Sequence, residues 1–107
     1  MELLELIKKT MEDKKAHDVV VVDFKNTSPI CDYFVICDAS NARQVNAISE
    51  AIDEAVSKQG YAIRRSDSKT DSPWILLDAG DVVAHVFLTE ERQRYNLEKL
   101  YAEYISQ

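Results

Sequence analysis

Residues 74–87 read Trp74-Ile75-Leu76-Leu77-Asp78-Ala79-Gly80-Asp81-Val82-Val83-Ala84-His85-Val86-Phe87. Two apolar runs rich in β-branched and aromatic residues flank a short turn at Ala79-Gly80, the pattern of a β-hairpin. If Asp78 and Asp81 pair across that turn, alternation assigns the faces. One face carries Ile75, Leu77, Val82, Ala84 and Val86, is wholly apolar, and is expected to pack on helices. The other carries Trp74, Leu76, Asp78, Asp81, Val83, His85 and Phe87 and mixes large apolar groups with charge. A small α/β domain has to cover only one face of its sheet. A mixed face therefore suits a surface that a partner protein covers. Trp is a leading anchor at interfaces. Burying one removes about 150–250 Å² from water, or about 4–6 kcal/mol gross at about 25 cal/mol/Å². The plainer reading is an indole that folds back on its own domain.

Outward from the hairpin, the chain alternates helices and strands. Leu3, Ile7 and Met11 lie on one helical face. Val19 to Val22, bounded by Asp18 and Asp23, predict a strand buried on both faces. Tyr33 to Cys37 predict a second strand. The link between them, with Asn26-Thr27-Ser28-Pro29, is too short for a parallel crossover, so the two are expected to be antiparallel neighbours. Ser40 is an expected N-cap. The helix after it places Val45, Ile48, Ile52 and Val56 on one face and is expected to end at Gly60. Tyr61-Ala62-Ile63 then opens a third strand, parallel to the second. Ser66 to Pro73 form a loop. Thr89 is expected to cap one C-terminal helix whose apolar face holds Leu97, Leu100, Tyr101, Tyr104 and Ile105.

The chain has 107 residues with 19 acidic and 13 basic side chains, a formal net charge of −6. That length fits a single domain over residues 1–107. Phosphate neutralisation needs clustered Lys and Arg, so direct nucleic-acid binding is excluded as the main source of affinity. An acidic surface suits a basic protein partner, although mild acidity also serves solubility. Glu2 follows Met1 and no apolar run is long enough to span a membrane, so a cytoplasmic location is expected. Cys31 and Cys37 are then expected to stay reduced.

Chemical sites are scarce. His17, Cys31, Cys37 and His85 lack the paired spacing of a structural zinc site, and no metal is expected. No nucleophile elbow is present. The element order resembles that of small nucleotidyltransferase-type α/β domains, which hold two Mg²⁺ ions on carboxylates one residue apart. This chain has no Asp-x-Asp, and its only glycines are Gly60 and Gly80, too few for a phosphate loop. A non-enzyme without cofactors is the expectation, with a nucleotide-binding or nucleotidyltransferase-like enzyme and a dimeric scaffold for another basic protein as alternatives.

Several stretches together resemble the ribosomal silencing factor, or Iojap-like, family. They are Asp18 to Asp23, Ile30 to Cys37, Arg43-Gln44-Val45 with Ala47-Ile48, Trp74 to Asp78 with Gly80 to Phe87, and Tyr95 with Leu97 to Tyr101. The resemblance spans roughly residues 18 to 104. It implies an α/β (α+β) fold: a mixed sheet of about five strands flanked by helices, nucleotidyltransferase-like in topology but without the catalytic motif. It implies binding to the large ribosomal subunit at ribosomal protein number fourteen, steric blocking of small-subunit joining, and lower translation under nutrient limitation. Homodimers of the free factor are also implied. On this reading Trp74, Leu76, Asp78, Asp81, Val83 and His85 are the expected ribosomal-protein contacts, with Trp74 as anchor. The chain departs from the family pattern at Ala79, where an aromatic residue is usual, at Ser72-Pro73, where glycine is usual, and at Tyr101, where Trp is common. Arg43 and Gln44 open the second helix with no assigned role.

Overall fold

The computed structural model describes residues 2–29, 31–66 and 72–105. In chain order the elements are α1 (Glu2–Asp13), β1 (His17–Asp23), β2 (Tyr33–Ala39), α2 (Ala42–Lys58), β3 (Arg64–Ser66), β4 (Trp74–Asp78), β5 (Val82–Leu88), α3 (Thr89–Tyr95), α4 (Leu97–Leu100) and a 3-10 turn at Ala102–Tyr104. The five strands form one mixed sheet in the order β1-β2-β5-β4-β3. Only the β2–β5 pair is parallel.

Alternation along the strands divides this α+β fold into two apolar layers. On the first face Val35, Cys37, Ile75, Leu77, Val82, Ala84 and Val86 meet Leu3, Leu4, Ile7 and Met11 of α1 and Val45, Ile48, Ile52 and Val56 of α2. Those helical residues recur at three- and four-residue steps, so each helix turns one stripe to the sheet. Each fully buried aliphatic side chain contributes roughly 1.5–3 kcal/mol. On the second face Val22, Phe24, Ile36, Val83 and Phe87 pack beneath Leu97, Tyr101, Tyr104 and Ile105. The C-terminal segment is thus a strap over the second face, tied to the sheet edge by a bridge from Ile105 to Val22.

Several expectations need correction. The hairpin pairs Asp78 with Val83, Leu77 with Ala84 and Trp74 with Phe87. Ala79 N–H donates to the Val82 carbonyl at 2.9 Å, which puts the two-residue turn at Gly80-Asp81 rather than Ala79-Gly80. Gly80 takes the left-handed φ of 89° that the turn requires. The register slips by two residues from the Asp78–Asp81 pairing, and side chains alternate with period two, so both faces keep their membership.

Strand β1 lies at an edge of the sheet, so it is not buried on both faces. Val22 is buried, whereas Val19, Val20 and Val21 are half-buried. Its pairing with β2 is antiparallel, as expected. Asn41, not Ser40, caps α2, accepting from Gln44 N–H at 2.9 Å. β2 runs on to Ala39 and leaves Ser40 as the link. Gly60 follows α2 with a φ of 89°. β3 starts at Arg64 instead of Tyr61 and runs in the same direction as β2, with β5 and β4 between them. Of the loop expected from Ser66 to Pro73, residues 67–71 lie outside the described residues, as does Ile30.

The C-terminal helix is not continuous. Asn96 adopts a left-handed φ of 48°, ends α3, and caps α4 by accepting from Lys99 N–H. Asn tolerates that backbone better than most residues and is a strong N-cap, which is why the break falls there. The break turns Leu100 out to solvent at 71% exposure, while Leu97, Tyr101, Tyr104 and Ile105 stay on the sheet.

Candidate docking face of the sheet

The second face of the hairpin is built by alternate residues of β4 and β5. Trp74, Leu76 and Asp78 on β4 stand beside Phe87, His85 and Val83 on β5. The indole of Trp74 stacks on Phe87 with centroids 4.8 Å apart and meets Tyr95 of α3 at 4.9 Å. Its Nε1–H donates to His85 Nδ1 at 3.1 Å. His85 lies edge-on to Phe34 at 4.4 Å. The strap continues the cluster, with Phe34 and Phe24 edge-on to Tyr101 at 5.5 and 5.3 Å. Such aromatic pairs add about 0.5–1.5 kcal/mol each beyond area burial.

Six expected contact residues therefore divide by depth. Asp81 is exposed in the turn, and Trp74, Leu76 and Asp78 are half-buried. Val83 and His85 are 5% and 3% exposed and lie beneath them. Asp78 also shapes the turn, accepting from Gly80 N–H at 2.9 Å. The Asp81 carbonyl accepts from Asp32 and Tyr33 N–H at 2.8 and 3.1 Å, fastening the turn to the start of β2. Burial pushes the His85 pKa down to about 4, so the ring is neutral at pH 7. Tyr95, 52% exposed against Trp74, belongs to the same face. Its exposure follows from the end of α3, which hairpin periodicity does not reveal. Arg43 is exposed on the first turn of α2, away from this face.

A charged cluster that the sequence reading missed sits at the far end of β2. Arg92 and Asp38 are 6% and 1% exposed and meet at 2.6 Å through Nη1 and Oδ1. Arg92 also donates through Nε to Glu98 at 2.8 Å and through Nη1 to the carbonyls of His17 and Asp18 at 3.2 and 2.7 Å. Asp38 accepts in addition from Thr89 Oγ1 at 2.6 Å and is bonded to His17 Nδ1. Thr89 therefore spends its hydroxyl on Asp38 and does not cap α3; Leu88 takes the cap position. Burial alone would raise the Asp38 pKa. The bonds from Thr89, His17 and Arg92, with the guanidinium charge, overcome that and hold it below the usual value. Burial likewise opposes the charge on Arg92, and the Glu98 and Asp38 carboxylates outweigh it. The guanidinium ties α3 and α4 to β1 at an irregularity in the strand's pairing, where Asp18 has a φ of 52°.

Neither cysteine is primed for attack. Burial raises the pKa of Cys31 and pushes that of Cys37 up to about 12. Among the described residues, no group of three or more His, Cys, Asp or Glu side chains is arranged to hold a metal ion, and no helix is long and apolar enough to cross a membrane.

The arrangement has known relatives. The family model described as "Ribosomal silencing factor during starvation" matches residues 1–107. A ribosomal silencing factor from Halalkalibacterium halodurans is 42% identical over 102 residues, 95% of this chain and 87% of that protein. One from Bacillus subtilis is 36% identical over 101 residues, 94% of this chain and 86% of that protein. A crystal structure from Bacillus halodurans superimposes with a TM-score of 0.85 at 40% identity and covers 99% of this chain and 97% of its own. A match across every element of the sheet, its helices and its strap leaves one assignment: the chain belongs to the ribosomal silencing factor family.

Proposed function

We propose that this protein binds the large ribosomal subunit at ribosomal protein number fourteen, sterically blocks joining of the small subunit, and thereby lowers translation when nutrients are limiting. It acts by occupying a surface, so it needs neither a catalytic residue nor a cofactor. One domain suffices for that, and the reading places the protein in the cytoplasm, with the free factor forming homodimers. The observation that supports it best, beyond family membership, is the outer strip of the hairpin. Trp74 and Leu76 are half-buried apolar side chains on the face of β4 that ends at Asp78, with Asp81 exposed in the turn beyond. A strip with a Trp anchor at one end and acid at the other suits a basic ribosomal protein, and the net charge of −6 steers the encounter. Val83 and His85 support the strip from beneath.

Co-sedimentation with purified large subunits tests the reading, together with an assay of small-subunit joining. Trp74→Ala is expected to weaken co-sedimentation at least about tenfold, the loss of a hot-spot residue. Asp78→Lys combined with Asp81→Lys is expected to weaken it further at low salt than at high salt. Wild-type protein that neither co-sediments nor inhibits joining would sink the proposal. Unchanged binding by both folded variants would move the contact elsewhere on the molecule.

A further inference from the structure

His85 stands out on the second face because it makes one polar bond and hides everything else. Its Nδ1 accepts the Trp74 indole N–H at 3.1 Å. Its Nε2 is buried with no hydrogen-bond partner among the described residues. The rest of its surroundings are apolar: Leu76 and Ile36 opposite it on the two neighbouring strands, and the rings of Phe34 edge-on at 4.4 Å, Trp74 at 5.8 Å and Phe87 at 6.2 Å. The indole N–H is a donor only, so the bond requires Nδ1 as acceptor and hence a neutral ring with its proton on Nε2. Turning the ring over would set a carbon where Nδ1 is and strand the indole N–H as well.

Packing alone does not call for this residue. An aliphatic side chain of similar volume would fill the space, relieve the orphaned Nε2–H, and avoid burying an imidazole. What it would lose is the one acceptor that fixes the indole. Phe87 sets one contact of that ring and Tyr95 another, but stacked rings slide and rotate at little expense, whereas a hydrogen bond defines direction.

We propose that His85 is a positioning residue, whose Nδ1 holds the Trp74 indole in the orientation in which it docks on its protein partner. The role rests on the reading of Trp74 as the docking anchor. It moves His85 from the contact set to the layer behind it.

Two variants and one background test this, using the full chain and purified large subunits. His85→Leu is expected to reduce affinity about five- to tenfold, the scale of one neutral hydrogen bond. Its urea unfolding midpoint is expected to stay the same or rise. His85→Asn, whose Oδ1 takes the place of Nδ1, is expected to recover most of the lost affinity. In a Trp74→Phe background, which has no indole N–H, His85→Leu is expected to cause no further loss. Wild-type affinity in folded His85→Leu, or a loss that persists undiminished in Trp74→Phe, overturns the proposal.

Hydrogen exchange of the Trp74 indole N–H separates this inference from the docking assignment. His85→Leu is expected to speed that exchange at least about tenfold whatever Trp74 touches, since an N–H released from its acceptor is free to exchange. If Trp74→Ala leaves ribosome binding intact, the docking assignment fails, and unaccelerated exchange in His85→Leu shows separately that His85 does not hold the indole. Should His85→Leu fail to fold, nitrogen NMR of the wild-type imidazole decides. A proton on Nε2 supports the bond to Trp74, and a proton on Nδ1 overturns it.

Discussion

The two faces of the sheet bury similar side chains by different means. On the first face, two amphipathic helices close an aliphatic layer in which Ile7, Val35, Ile48, Ile52, Ile75 and Leu77 are fully buried. On the second face, a broken strap of short helices covers an aromatic layer that contains a histidine and ends in the Arg92–Asp38 cluster. The first layer takes its order from non-directional packing. The second depends on directed bonds: an indole to an imidazole, and a guanidinium to two carboxylates and two carbonyls. The two faces divide the labour. The helical face contributes bulk stability, and the strapped face holds particular side chains in particular places.

The largest expected effect lies at the end of the strapped face. Arg92→Met removes the donor to Asp38, to Glu98 and to the carbonyls of β1 at once and leaves Asp38 buried with less neutralisation. A loss of about 3–5 kcal/mol is expected in urea unfolding. Adding Asp38→Leu to Arg92→Met is expected to restore part of it, because the remaining buried charge is gone. A loss below about 1 kcal/mol in Arg92→Met would mean that the strapped face depends on apolar packing as the helical face does.

On the helical face, Ile52→Ala deletes methyl groups from a fully buried site. The expected loss is about 3 kcal/mol, within the usual range for such truncations. The distinctive expectation is that binding to large subunits stays at the wild-type level once the protein is folded. A large fall in affinity at conditions where Ile52→Ala is fully folded would break the division between the faces.

Acid is expected to act on the strapped face. His85 is neutral and buried, with a pKa of about 4 against about 6.5 for an unfolded chain. Its contribution is therefore complete above about pH 6.5 and is lost as pH falls toward 4, since the unfolded chain binds the proton first. By pH 4.5 this amounts to roughly 2–3 kcal/mol. Asp38 has the same sign, its lowered pKa meaning that stability is lost as acid protonates it below the ordinary carboxylate range. Unfolding titrations between pH 7 and 4.5 should show the decline. In His85→Asn most of the fall between pH 6.5 and 4.5 should vanish, and an unchanged slope would remove His85 as its cause.

Legibility in the sequence follows the same division. The helical face was readable because hydrophobic periodicity carries it: Ile48 and Ile52, or Ile75 and Leu77, announce their side by spacing alone. The faces of the hairpin survived a two-residue error in register for the same reason. The family motif, quoted from residues on both layers, was readable as a whole. The buried cluster was not, because Arg92 lies 54 residues from Asp38 and 75 from His17, and no local pattern links them. Thr89 looked like a cap because it opens a helix, yet its hydroxyl is taken by Asp38 on a distant strand. The depth of His85 was not legible because rings from two neighbouring strands, Phe34 and Trp74, close against it, and the course of the strap was not because it depends on one backbone angle at Asn96.

That angle carries the smallest and sharpest expectation. On a continuous helix from Thr89, Leu97, Leu100, Tyr101, Tyr104 and Ile105 share one stripe, and Leu100 would be buried among the others. A Leu100→Ser change would then remove a core side chain and lower stability by about 2–3 kcal/mol. With the break at Asn96, Leu100 is 71% exposed and points away from the layer that Leu97 and Tyr101 join. Substitution at such a site is expected to change stability by no more than about 0.5 kcal/mol. Tyr101→Ser, one residue on, is expected to be clearly destabilising, because it removes the ring that Phe24 and Phe34 both meet edge-on. Equal losses at the two neighbours would restore the continuous helix. Unequal losses in the stated order keep the strap broken at Asn96, with Tyr101 on the sheet and Leu100 off it.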